Sequence, residues 1–149
     1  MTRSRQILLA YARDSLEILR YSLLFIGQGQ RPFYRVAAVQ LRLLLCDTTR
    51  RHNQVIDIAV LPQLIPNLDL PAISPEGKRL RLDDWLAQPI PGQPLSVRQL
   101  IRRVCDQDGG AHVDFKPEAG VDGLEAAEWI QKIGEIVLNS VENSLFRPG

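Results

Sequence analysis

Cysteine is scarce in this 149-residue chain, where Cys46 and Cys105 are the only two. Two isolated thiols with no secretion signal argue against a disulfide framework and for a reducing compartment, so a cytoplasmic location is expected. Long apolar runs are missing too. The longest, 21–26 and 58–68, fall short of the roughly 20 residues a membrane helix needs, and Pro62 and Pro66 interrupt the second. No membrane partner is expected. Arg3 and Arg5 precede an apolar stretch, but Arg13, Asp14 and Glu17 break it at once, which favours a native helix over a leader. Also absent are a phosphate-binding P-loop, a glycine-rich dinucleotide fingerprint and a serine-nucleophile elbow, so no cofactor is expected.

What is present suits a folded domain. Hydrophobic residues make up 45% of the chain and charged residues 23%, and a chain of this length buries a core without disulfides or metals. One domain over 1–149 is the expectation. The net charge of +1 conceals an asymmetry. Residues 1–51 hold nine arginines against three acids, whereas from Lys116 onward six acids face three bases. The two ends of the chain should therefore attract each other.

Periodicity predicts four helices, at about 3–26, 32–46, 97–108 and 123–146. In the first, Ala12, Leu16, Leu19, Leu23 and Ile26 step by four and three, with Ile7, Tyr11, Ile18 and Phe25 flanking them. So broad an apolar face packs on two neighbours, or on one neighbour and a second subunit. Gly27 to Gln30 breaks the helix, and Pro32 fits the first turn of the next, giving a helical hairpin. Ser96 and Gln99 form a capping box ahead of Val97, Leu100, Ile101 and Val104, and Gly109 or Gly110 can close that helix. Asp122 and Glu125 repeat the capping pattern before the last helix.

Seven of the ten prolines fall between Pro62 and Pro94, which excludes a long helix there. Within this irregular segment, 53–94, the β-branched residues from Val55 to Leu61 suggest a short strand ending at Pro62, with a helical turn as the alternative. Ser74-Pro75-Glu76-Gly77 reads as a turn, and Lys78 to Leu82 alternates like a half-buried strand, so a small β-hairpin is expected. Asp83 or Asp84 is placed to cap a helical turn carrying Trp85, a candidate exposed anchor. The fold class is thus mainly α: a bundle-like arrangement of four helices with a proline-rich central excursion.

For chemistry, the corner after the third helix stands out. His112 and Asp114 lie two apart, close in sequence to Arg102, Arg103, Asp106 and Asp108. A histidine moves protons near neutral pH, an acid can orient it, and an arginine can hold a phosphate, which together suit a phosphodiester-acting enzyme. A histidine past a helix C-terminus equally serves as a cap on the exposed carbonyls. An arginine followed by a histidine at a helical site resembles the pair in HEPN-type ribonucleases, which are helical and often dimeric. That resemblance implies ribonuclease chemistry at Arg103 and His112. Here eight residues separate the two, more than is usual in that family, and Gly109-Gly110 intervenes.

Two other constellations carry expectations. Cys46, His52, Cys105 and His112 would supply four zinc ligands, although the close spacings of zinc knuckles are missing and buried thiols are the plainer account. Arg31, Arg35, Arg42, Arg50 and Arg51 offer a basic surface for nucleic acid, with the acidic last helix as a competing internal partner. With no complete catalytic motif, the leading expectation is a protein-interaction or regulatory module, homodimeric through the first helical hairpin and able to engage a further protein.

Overall fold

The computed structural model describes residues 2–46, 49–51, 54–56, 60–66, 68–73, 77, 79–90, 94–106 and 126–146. The chain is mainly helical. Helix α1 (Arg3–Gly27) begins at Thr2, whose hydroxyl accepts the Arg5 amide at 3.2 Å. Its end is a Schellman closure. The Gln30 amide donates to the Phe25 carbonyl at 2.9 Å and the Gly29 amide to that of Ile26 at 3.1 Å. That closure needs a left-handed residue, and Gly29 supplies it with φ +92°. Phe25 and Phe33 then stack with centroids 4.7 Å apart, tying α1 to the next segment.

Pro32 does not open an α-helix as expected; it lies in a 3-10 turn (Arg31–Phe33) that leads into α2 (Tyr34–Leu45). Helix α1 packs on α2, and both pack on α6 (Ala126–Val141). The inner α1 stripe foreseen from periodicity, Ala12, Leu16, Leu19, Leu23 and Ile26, is buried throughout. Gly134 sits mid-helix in α6, where a glycine costs about 1 kcal/mol in propensity. The cause is close approach: a Cβ there would stand 2.8 and 2.9 Å from the two Leu23 methyls. The chain winds as a π-helix over Glu142–Phe146, beyond α6, where a continuous α-helix was expected.

The central segment is less irregular than its prolines suggest. Strand β1 (Thr49–Arg51) pairs antiparallel with β2 (Gln54–Ile56), Arg50 opposite Val55. Of the strand and the helical turn open to Val60 and Leu61, the turn is the one formed: both belong to a short helix α3 (Val60–Leu64). Pro62 lies in its first turn, where the missing amide proton has no intrahelical partner to lose, and Val60, Leu61 and Leu64 reach the core. The Arg5 guanidinium fastens α3 to α1 by donating to the Leu64 carbonyl at 3.2 Å. Strand β3 (Asp69–Ile73) pairs antiparallel with β4 (Arg79–Arg81), Asp69 opposite Arg81 and Ile73 opposite Arg79. The register shifts between those pairs, across Pro71, which cannot donate to a ladder. Residues 74–76 of the expected turn lie outside the described residues.

Helix α4 (Leu82–Leu86) follows β4 directly, with Arg81 at its cap. Asp83 and Asp84 are therefore inside the first turn rather than capping it, because burial of Leu82 starts the helix earlier. Trp85 is only 5% exposed. It is a core residue and not the exposed anchor expected from sequence, since Leu82, Trp85 and Leu86 are the residues of this one-turn helix that face inward. Helix α5 (Val97–Asp106) completes the set and packs on α2 and α6. Its capping box is formed: the Gln99 amide donates to the Ser96 hydroxyl at 3.2 Å, and the Ser96 amide to the Gln99 side-chain oxygen at 2.9 Å. The Asp122–Glu125 box lies outside the described residues. Buried side chains from all six α-helices join in one apolar cluster.

Candidate functional site

Two surface features stand out among the described residues, one apolar and one charged. The apolar one is the outer side of α1. Ile7, Tyr11, Ile18 and Tyr21 are spaced by four, seven and three, so at 100° per residue they fall within one narrow stripe, turned well away from the buried one. They are exposed, Ile7 at 59% and Tyr21 at 54%, with Leu24 exposed to one side. Phe25 continues the stripe half-buried, and Asp14 is its one acidic interruption. Sequence periodicity had marked Ile7, Tyr11, Ile18 and Phe25 as flanks; it missed Tyr21 and Leu24. Single exposed apolar residues are common on proteins; here four of them share one side of a single helix.

The charged feature is a cleft of about 750 Å³ between α4 and α5. On the α4 side lie Asp83, Leu86 and Ala87; on the α5 side lie Ser96, Arg98, Gln99 and Arg102. Arg98 and Arg102 are four apart and so project from one face of α5, whereas Arg103 is rotated away and exposed. Of the two arginines that the sequence offers as alternatives for holding a phosphate, Arg102 lines the cleft and Arg103 does not. Across the cleft, an Arg98 guanidinium nitrogen stands 3.8 Å from an Asp83 carboxylate oxygen. The i, i+4 spacing of Arg98 with Arg102 was visible in the sequence; the presence of Asp83 opposite them was not.

His112 and Asp114 of the expected acid–base corner lie outside the described residues, as does His52 of the zinc set. Cys46 and Cys105 are both buried. Among the described residues no group of three or more His, Cys, Asp or Glu side chains is placed to hold a metal ion.

The basic half meets the acidic helix as the charge asymmetry anticipated. Arg20 pairs with Glu142, and Arg31 with Glu128 at 3.4 Å. Arg31 of the candidate nucleic-acid surface is therefore engaged internally. Arg35 lies over the Tyr34 ring, 5.9 Å from its centroid, and Arg35 and Arg42 are both partly buried on α2. Arg50 and Arg51 belong to β1, and their side chains lie outside the described residues. Among the described residues no helix is long and apolar enough to cross a membrane.

Compared with known proteins, the chain matches no family model, no curated protein and no solved structure.

Proposed function

We propose that this chain is a cytoplasmic interaction module that associates with a second copy of itself through the outer stripe of α1, its four long helices forming a bundle-like scaffold for that face. The carrying observation is the exposed file Ile7, Tyr11, Ile18 and Tyr21. The file runs from Ile7 to Phe25, about 27 Å at 1.5 Å per residue, and suits a helix of equal length.

Charge and register favour a second copy over an unrelated helix. In an antiparallel pair related by a two-fold axis near Leu16, Ile7 meets the partner's Phe25 and Tyr11 meets the partner's Tyr21. Arg13 and Glu17, on one flank of the stripe, then lie two residues, about 3 Å along the axis, from the level of the partner's Glu17 and Arg13, within reach of their long side chains. Asp14 is the polar position of this seam; such a residue selects register at some cost in stability.

Sedimentation across low to high micromolar concentrations tests the reading. The wild type is expected to dimerise, and Ile18→Glu with Tyr21→Glu to remain monomeric with an unchanged helical circular dichroism spectrum. A wild type that stays monomeric throughout overturns it. The alternative, a phosphodiester-acting enzyme using His112, Asp114 and Arg102 or Arg103, draws support from Arg102 in the cleft. RNA cleavage that His112→Ala abolishes without unfolding the chain would put it first.

A further inference from the structure

The α4–α5 cleft is built in a way that the self-association reading does not use. Its two walls are held by their own buried residues: Trp85 and Leu86 root α4 in the core, and Val97, Leu100 and Ile101 root α5. The connection between them is stapled as well. The Val97 amide donates to the Gln88 carbonyl at 3.1 Å, and the Ile90 amide to the Leu95 carbonyl at 2.9 Å, with Pro89 and Ser96 bridged between them. Because Ser96 and Gln99 cap each other, the first turn of α5 is locked too. A cleft so braced has its two backbone walls fixed before a ligand arrives, and that lowers the cost of binding.

The lining is specific in charge. Arg98 and Arg102 stand one helical turn apart on one wall, about 6 Å along the axis, and guanidinium forks are matched to phosphate oxygens. Asp83 faces them, but it is 87% exposed and its 3.8 Å approach to Arg98 is long. A long contact to so exposed a carboxylate is weak and screened, so a dianion can displace the aspartate from the half-buried arginine. Displaced, Asp83 still acts on the ligand. Its carboxylate accepts hydrogen bonds from hydroxyl groups and repels a second anionic group, which disfavours polyphosphates and continuous nucleic acid. Ala87, exposed beside the buried Leu86, offers a small apolar contact for a carbon skeleton. The volume of about 750 Å³ falls within the roughly 300–1,000 Å³ usual for small-molecule sites.

We propose that this cleft binds a small hydroxylated phosphomonoester, of the sugar-phosphate class, with Arg98 and Arg102 on the phosphate and Asp83 on the hydroxyls. The test is calorimetric titration of the full chain with ribose 5-phosphate, ribose and inorganic phosphate at low salt, repeated with Arg102→Gln and Asp83→Asn. Saturable one-to-one binding of ribose 5-phosphate is expected, with inorganic phosphate weaker and ribose undetected. Losing a charge-assisted contact predicts that Arg102→Gln weakens ribose 5-phosphate by about tenfold or more. Asp83→Asn should narrow the gap between the sugar phosphate and inorganic phosphate. Thermal melts of both variants verify folding, and Arg102→Lys, which keeps the charge but not the fork, should recover part of the affinity. No saturable binding, or binding that survives Arg102→Gln within about twofold, overturns the proposal, because a difference that small is below the weight of one such hydrogen bond. Binding of a single-stranded oligonucleotide in preference to ribose 5-phosphate overturns it as well.

Discussion

Replacing Gly134 by alanine tests a close approach between α1 and α6. Considered alone, α6 should gain about 1 kcal/mol, because alanine is the better helix former in a helix interior. Packing opposes this. The new methyl would meet Leu23 at 2.8, 2.9 and 3.3 Å, touching both terminal methyls and the branching carbon. A turn about the last side-chain bond of Leu23 therefore does not clear all three, and Leu23 is itself buried between helices. Overpacking of this kind costs about 1–3 kcal/mol, so the net effect should be a loss of about 1 kcal/mol, or about 2–4 °C in Tm for a chain of this size. The decisive comparison is a double-mutant cycle. With Leu23→Ala in place the clash is gone, and Gly134→Ala should stabilise by the full propensity gain of about 1 kcal/mol. The change of sign corresponds to a coupling of about 2 kcal/mol, well above the few tenths found between independent sites. Urea unfolding followed by circular dichroism, at one fixed protein concentration, measures all four corners. Equal stabilisation by Gly134→Ala in both backgrounds would refute the close-approach account and mean that Leu23 moves aside without cost.

Two further substitutions probe the helix ends. Gly29→Ala forces a side chain into the left-handed conformation that closes α1, and chemical unfolding should show a loss of about 1–2 kcal/mol. Ser96→Ala removes the hydroxyl that accepts the Gln99 amide; it should cost about 1 kcal/mol. Adding Gln99→Ala should cost less than the sum of the two single changes, because the two side chains cap each other.

Much of the helical skeleton was legible in the residue order. The four-and-three spacing from Ala12 to Ile26 reports an angle about a helix axis, and angle is a local property that needs no knowledge of neighbours. The Ser96–Gln99 box was legible for the same reason, its two hydrogen bonds spanning three residues. The central segment was harder. Pro62 terminates a strand but is equally at home in a helix's first turn, and only the burial of Val60, Leu61 and Leu64 together decides for α3. Asp83 near Arg98 is a contact across a stapled loop, set by how α4 and α5 are rooted in the core and by no local rule.

By itself, then, the sequence determined a mainly helical chain, the inward stripes of its long helices and the attraction between a basic first half and an acidic last helix. Tertiary structure decided which apolar residues are covered. Trp85 and Ile18 are both large apolar residues in helices, yet Trp85 is buried and Ile18 is exposed. The difference lies in the neighbours. Helix α1 carries two apolar stripes, and the elements packed on it bury the inner stripe only. Periodicity counts the stripes on a helix, whereas the packing of the whole chain fixes how many of them find a partner.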